Sequence, residues 1–538
     1  MYPRKLTRSV ISNPDFPVAV TKRGKIRGLY EEDMYIFRGI QYATAERFHE
    51  AKPVEPWEGN KDAIIYGPVS PEIHTPIAHD EYNVPHYHYV QDEECLYLNI
   101  WTKQINEDAK KPVMVWIHGG GYATGSSIEL YAYDGHELAE FGDVVVVSVN
   151  HRLNVIGYLD LSAYGEEYKY TGNLGQKDLV EALRWIQENI EAFGGDPGNV
   201  MIMGQSGGGG KVNSLLQTPS AKGLFHRASI QSGLFEGEKD VLPETSQKLA
   251  SYVVEELGLS AETIHEIEKV PYYKLARAAQ KAQEKLAKET GQFMMMAPVK
   301  DDDFFMGSGL NNPFIEEHKN VPVLVGSVYG EFDQNYNAVY APGSKNDWDD
   351  ELVLKLIQEV FGESADAVIE AMKKDYPERK LVDCLYTNKA TRAASRDYAK
   401  KRAEEGCAPA WNWMFNLECP LNSGTIPWHN AEEAYMFHNA NYLEASYIPG
   451  VSERLQDQMT GAWVAFSRNG DPNVAGNPVW PAVTADNGSC ILFDRETTVR
   501  YHHDDELMDS LPNRGVMGRN DRKSVVNTRF GGGPRQSL

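Results

Sequence analysis

Three stretches of the chain are almost unbroken runs of apolar residues: "PVMVWIHGG" from Pro112, "DVVVVSVN" from Asp143 and "NVMIMGQS" from Asn199. Each stops at a glycine or a polar residue. A strand covered on both faces reads this way, because its side chains meet core rather than water whichever way they point. The runs therefore predict a central, mostly parallel β-sheet flanked by helices. Between the second and third lies "NLGQKDLVEALRWIQENI", where Leu179, Leu183, Ile186 and Ile190 fall on one helical face. Strand, helix, strand implies a right-handed crossover.

The rest of the chain extends that α/β pattern. "RASIQSG", "VPVLVGSVY", "APAWNWMFN" and "SCILFD" read as further strands, and Lys/Glu-rich amphipathic stretches at about 242–290 and 350–405 read as large helical insertions. The first hundred residues read as short strands and turns, a small N-terminal antiparallel β region in which "AVTKRGKIRGLY" forms a hairpin turning at Gly24. At 538 residues the length alone would suggest roughly three to four domains. No Pro/Ser-rich linker divides the chain, so the expectation is an N-terminal arm over 1–14, one α/β domain over 15–510, and a flexible C-terminal tail over 511–538 ending in "RFGGGPRQSL".

Charge and composition exclude several functions. The formal net charge of −24 argues against a nucleic acid or other polyanion as partner, since phosphate binding needs Lys and Arg to displace counterions. The excess of acid serves solubility, or steers a cationic substrate. No stretch approaches 18 consecutive apolar residues, so no membrane span is expected. The N-terminal "MYPRKLTRSVISNPDFPV" has basic residues but no apolar segment of the kind a secretory signal needs. Five scattered cysteines, with no CxxC, fit a reducing compartment and argue against a cysteine zinc site. Together these features lead to the expectation of a cytoplasmic protein.

The chemistry begins at "MIMGQSGGGGKV". Ser206 is either a nucleophile on a tight turn or a spectator serine in a glycine-rich loop. A lone GxSxG is weak, but this one follows an apolar run and precedes a stretch that can be helical. A strand–turn–helix junction can hold a serine in a strained backbone with its hydroxyl exposed, and Gly204 and Gly208 would let strand and helix approach too closely for a Cβ. A second motif strengthens the case. His118-Gly119-Gly120-Gly121 ends another apolar run, and glycine N–H groups can approach and hold an oxyanion, each donor contributing about 3 kcal/mol. A serine hydroxyl also needs a base, and the base an orienting acid.

At this point the chain resembles the type-B carboxylesterases, the family that includes cholinesterases and bile-salt-stimulated lipases. The likeness covers roughly residues 15–505 and rests on "FRGIQYA", "EECLYLNIWT", "HGGGY", "NHRLNVIGYL", "ENIEAFGGDPGNVMIMGQSGGG" and "LFHRASIQSG". It implies the α/β-hydrolase fold and a serine carboxylic-ester hydrolase that works through an acyl-enzyme. In that fold the order along the chain is serine, acid, histidine. The resemblance selects Glu331 in "VLVGSVYGEFD" as the acid, with Asp333 as rival, and His429 in "GTIPWHNAEEAYMF" as the base, with His438 as rival. The family's pattern after the histidine is a glycine and then, two residues on, a glutamate. Here Asn430 replaces the glycine and Glu432 keeps the acidic position. The implied oxyanion donors are the N–H groups of Gly120, Gly121 and Gly207. Where Gly207 stands the family usually has alanine, and the change is expected to keep the donor while loosening the loop. Ser232 matches a buried family serine beside the acid and histidine, and Gln205 stands where a glutamate usually precedes the nucleophile. Losing that carboxylate is expected to change the basicity of His429. The resemblance also implies ion pairs of Arg47 with Glu93 and of Arg152 with Asp178. Cys95 lacks the upstream partner that secreted relatives bridge to.

The mechanism implied needs no cofactor and no metal, and its partner is a small-molecule ester of small to medium, apolar or aromatic character. A histidine base acts only when neutral, so rate is expected to rise with pH across about 6 to 7.5. The loop "HTPIAHDEYNVPHYHYVQDEEC" is rich in rings: His74, His79, His86, His88, Tyr82, Tyr87 and Tyr89. It reads as an aromatic rim to the entrance. His86 and His88 could chelate a metal, but a site would need further ligands. The tryptophan with which cholinesterases grip choline has no counterpart in this loop, which argues against choline esters. "FMMMAP" (Phe293 to Pro298) and Trp428 read either as an apolar pocket or as ordinary core. Two other readings stay open: a lactonase, carbamate hydrolase or amidase using the same serine, and a non-catalytic binding or adhesion module of the same fold.

Overall fold

The three apolar runs lie next to one another in the computed structural model, which describes residues 9–72, 86–332 and 343–512. They follow eight short strands, β1 (Val10–Ile11), β2 (Val18–Val20), β3 (Lys25–Arg27), β4 (Leu29–Glu31), β5 (Met34–Gln41), β6 (Ala43–Thr44), β7 (Lys52–Pro53) and β8 (Asn60–Asp62). Then come β9 (Tyr97–Thr102), β10 (Lys111–Ile117), β11 (Val145–Val149), β12 (Gly195–Gln205), β13 (Arg227–Gln231), β14 (Val323–Val328), β15 (Ala410–Phe415), β16 (Ser489–Phe493) and β17 (Thr498–Tyr501). Among the described residues, one sheet takes 12 of these strands in the order β1-β4-β5-β9-β11-β10-β12-β13-β14-β15-β16-β17. Every pairing from β11 through β16 is parallel.

Alternation along β10 explains why its run is continuous. Val113, Val115 and Ile117 enter the core on one face, and Met114 and Trp116 enter the core on the other. Val115 sits opposite both Val147 and Ile202, so neighbouring strands repeat the pattern in register. On the first face α3 (Leu174–Asn189) contributes Leu179, Leu183 and Ile186, and α4 (Gly207–Leu215) contributes Val212 and Leu215. On the second face α1 (His136–Gly142) contributes Leu138, and α11 (Ser452–Asn469) contributes Leu455, Met459 and Trp463. Each such side chain taken out of water contributes about 1.5–3 kcal/mol. The expected helical insertions are present as α5 (Pro243–Glu256) with α6 (Tyr272–Thr290), and as α7 (Asp350–Phe361), α8 (Ala365–Asp375) and α9 (Lys389–Glu404), while α2 (Asn154–Tyr158) and α10 (Glu433–Met436) are short.

The N-terminal region is mainly antiparallel, as expected, and most of it joins the large sheet. β4, β5 and β9 extend the large sheet, antiparallel to one another and to β11. Their apolar residues Ile36, Phe37, Leu98 and Ile100 join the same two cores, which is why they dock there rather than apart. Among the described residues β2, β3 and β8 form a small sheet of their own, in which β3 pairs with β8 in parallel, and β6 pairs with β7 in a second, two-stranded one. Val10–Ile11, inside the stretch expected as an arm, pairs with β4. Residues 1–8 of that stretch lie outside the described residues, as does all of the expected tail beyond 512.

Both ion pairs read from the sequence are formed. Arg152 and Asp178 are buried and joined twice, at 2.8 and 2.7 Å. Arg47 binds Glu93 and the carbonyls of Ile267 and Val270, tying an N-terminal loop to the helical insertion. All five cysteines carry free thiols. No described helix is long and apolar enough to cross a membrane.

Candidate active site

β12 ends at Gln205 and α4 begins at Gly207, which leaves Ser206 alone to make the turn. It does so at φ 57°, ψ −127°, a conformation that costs a side-chain-bearing residue about 1–3 kcal/mol. Two backbone bonds hold it there: Ser206 N–H donates to Gln231 O (2.8 Å), and Gly210 N–H donates to Ser206 O (3.0 Å). The flanking glycines have no space to spare. A Cβ on Gly208 would lie 2.1 Å from Ile117 O, and one on Gly204 would lie 2.6 Å from the backbone of Gly208.

The glycine ribbon after β10 lies against the same turn. Gly120 and Gly121 take φ of 82° and 57°, the left-handed region that glycine adopts freely. A Cβ on Gly207 would lie 2.5 Å from Gly121 N, so the absence of a methyl at 207 draws helix and ribbon into contact. The N–H groups of Gly120 and Gly121 donate to no acceptor among the described residues. Gly207 opens α4, where an N–H has no partner within the helix. Three adjacent donors are thus available to a negatively charged oxygen.

Glu331 and His429 lie beyond the carboxyl ends of β14 and β15. A local parallel bridge joins Glu331 to Trp428, and His429 N–H donates to Glu331 O (2.9 Å). Glu331 itself sits at φ 48°, and Asn430, in place of the family glycine, sits at φ 72°. Asparagine is among the few residues other than glycine that tolerate this region, which explains the replacement. The Glu331 carboxylate is held at both oxygens. Oε1 accepts from Ser232 Oγ (2.7 Å) and from Val328 N–H (2.9 Å), while Oε2 is hydrogen-bonded to His429 Nδ1. A proton on Nδ1 leaves Nε2 as the basic nitrogen. The Phe332 ring lies 4.1 Å from the imidazole, centroid to centroid. A continuous path therefore runs from the Ser206 N–H through Gln231, its neighbour Ser232 and Glu331 to His429.

Of the rivals, His438 is not in this cluster. It pairs with Asp457 (2.7 Å) and stacks on Phe141 (4.4 Å). Asp333 lies outside the described residues. Gln205 is buried, with its side-chain oxygen beside Gly119 and its Nε2 without a partner among the described residues. Glu432 is wholly buried, and neither carboxyl oxygen has a partner among the described residues. Burial, then the charge of Glu331, pushes it up to about 8, against the opposing pull of His429. In the sequence Glu432 occupies a motif position, with no mark of its burial.

The pocket candidates divide. Trp428 is fully buried within the second core, so it is packing rather than pocket wall, and Met296 belongs to the core under α5 and α6. Met295 is the member of "FMMMAP" that reaches the ribbon: a Cβ on Gly121 would lie 2.9 Å from its Cε. Of the expected aromatic rim, Tyr87 packs on Tyr131 (4.3 Å) and both are exposed, while His86 lies 3.5 Å from Glu129. His74, His79 and Tyr82 lie outside the described residues. Among the described residues no cluster of three or more His, Cys, Asp or Glu could hold a metal.

Comparison with known proteins places these features in context. A model of the carboxylesterase family matches residues 15–510. The para-nitrobenzyl esterase of Bacillus subtilis is 28% identical over 93% of this chain and 99% of its own. The phenmedipham hydrolase of Pseudarthrobacter oxydans is 30% identical over 89% and 95%. Among solved structures, an esterase from Clostridium hathewayi described as hydrolysing aliphatic aromatic polyesters superposes with a TM-score of 0.87. It is 41% identical, over 94% of this chain and 99% of that one.

Proposed function

The chain belongs to the carboxylesterase family and is an enzyme that hydrolyses carboxylic esters, and from that premise we propose that Ser206 is its nucleophile, His429 its base and Glu331 the acid that orients the base. The observation that carries this reading is the Glu331–His429 hydrogen bond, made beside the strained turn that presents Ser206. Nε2 of His429 removes the hydroxyl proton as Oγ attacks the ester carbonyl. The carbonyl oxygen becomes an oxyanion held by the N–H groups of Gly120, Gly121 and Gly207. These donors are fixed before reaction, so no reorganisation is needed as the charge develops. His429 then passes its proton to the departing alcohol, leaving an acyl-enzyme. Water, activated by the same nitrogen, releases the acid and restores Ser206. Ser232 and Gln205 act on this machinery from behind. Ser232 holds the carboxylate by Oε1, the oxygen that His429 does not use, and Gln205 keeps the turn free of a second negative charge.

The substrate class proposed is small to medium esters with an apolar or aromatic part. Met295 beside the ribbon and the Tyr87–Tyr131 pair support it. So does the likeness to esterases named for a para-nitrobenzyl ester and for aliphatic aromatic polyesters. The test is direct. Ser206→Ala should abolish hydrolysis of short nitrophenyl esters, by about 10⁴-fold or more, with the melting temperature preserved. A phosphonate should label the wild type once, at Ser206. Hydrolysis by the alanine variant at wild-type rate would refute the assignment, and a panel of esters, lactones, carbamates and amides would fix the bond cleaved.

A further inference from the structure

Three consecutive glycines make the ribbon a good cradle for an oxyanion and a poor structural element, because no side chain anchors it. The anchor comes from below. Lys211, on α4, is completely buried. Its Nζ donates to His118 O (3.0 Å) and Gly119 O (3.3 Å), the two carbonyls that lead into the ribbon, and lies 5.6 Å from the centre of the Tyr122 ring. The Gly119 carbonyl is also hydrogen-bonded to His118 Nδ1 (3.0 Å). That carbonyl belongs to the same trans peptide as the Gly120 N–H, and the two point in opposite directions across one rigid plane. A donor fixing the oxygen on the inner side therefore aims the N–H at the outer side. It also polarises the amide and strengthens it as a donor.

Lys211 stands four residues after Gly207, so the two lie on one face of α4. We propose that Lys211 is a positioning residue for the oxyanion hole, gripping the His118 and Gly119 carbonyls so that the Gly120 N–H stays in register with that of Gly207. This role rests on Ser206 being the nucleophile. The surroundings suit a buried grip rather than a surface charge. His118 and His151 lie close with rings 4.8 Å apart, and burial and the neighbouring lysine hold both imidazoles well below their ordinary range. Neither ring nitrogen of His151 has a partner among the described residues. Burial brings Lys211 itself down to about 7, with Glu129 the carboxylate that opposes this. Charged or neutral, the amine keeps the two N–H bonds that the grip requires.

The test compares Lys211→Met, which keeps the length and removes the donor, with Lys211→Gln, which keeps a donor without charge. The readouts are nitrophenyl acetate hydrolysis and affinity for a trifluoromethyl ketone, whose hemiketal oxygen mimics the oxyanion. For K211M we expect kcat to fall about 10- to 100-fold with KM within about twofold, and ketone affinity to fall by the same factor. K211Q should lie between K211M and wild type in both. Thermal melting counts the folded fraction. If K211M does not fold, K211Q decides: reduced kcat and ketone affinity at an unchanged melting temperature support the role, and wild-type values overturn it. A folded K211M with kcat and ketone affinity within twofold of wild type also overturns it. A wild type that neither hydrolyses the ester nor takes phosphonate at Ser206 would instead overturn the nucleophile assignment.

Discussion

Glu331 and Glu432 are both buried near His429, yet the fold treats them oppositely. Glu331 has three hydrogen bonds to its carboxylate, whereas Glu432 has no partner among the described residues and is pushed up to about 8 by burial and by Glu331 itself. Below the ordinary glutamate range Glu432 is protonated in both the folded and unfolded chain, and its neutral form is accommodated at no electrostatic cost. As pH rises from about 4.5 the unfolded chain ionises first, and the folded state loses stability until its own carboxyl titrates near 8. Glu432→Gln removes that ionisation, so its melting temperature should fall less than the wild type's between pH 5 and 8. Parallel slopes would show that Glu432 is ionised in the folded protein. At this scale the sequence was legible only in part. Ser206 could be read from its glycines and apolar run, because local geometry dictates them. Choosing Glu331 among 77 acidic residues required the family resemblance. Lys211 was missed because a lysine in a helix carries no local mark of burial.

The element that matters most is the β12–Ser206–α4 junction, whose closeness depends on what its residues lack. Gly208 presses on Ile117 O, and Gly207 presses on Gly121. Gly208→Ala should cost about 3 kcal/mol or more and lower activity with it, since Ile117 O is backbone and cannot rotate away. Gly461→Ala is the control. It lies inside α11, where the added methyl meets nothing closer than 3.8 Å, so it should be neutral or stabilising by up to about 1 kcal/mol. Equal melting temperatures for the two variants would dismiss the close-approach argument. The parallel strands were legible for the reason the junction is tight: two-sided burial writes an unbroken apolar run. β4 and β5 were not placed in the large sheet because several of their residues are partly exposed, and β9, the strand that joins them to it, lies far along the chain. That pairing is decided by the core they join.

Across the whole molecule, buried ionic bonds join segments that sequence periodicity cannot relate. Arg392 on α9 reaches Asp504 (2.9 Å), a residue to which Tyr376 OH also donates (2.8 Å), so the end of the described chain is tied to two helices. Arg392→Met strands the Asp504 carboxylate and should cost about 3–5 kcal/mol, measured as a lower denaturant midpoint with esterase activity retained in the folded fraction. An unchanged midpoint would mean that the pair contributes no net stability. Overall architecture could be read from apolar runs and helical spacing, but such long-range pairs could not, because each partner alone looks like a surface residue.

The parallel order of β12, β13, β14 and β15 has one more result. With Ser206 as nucleophile and His429 as base, as proposed, the serine is synthesised well before the imidazole that activates it. On that assignment, fragments cut short before position 429 are expected to lack hydrolytic activity.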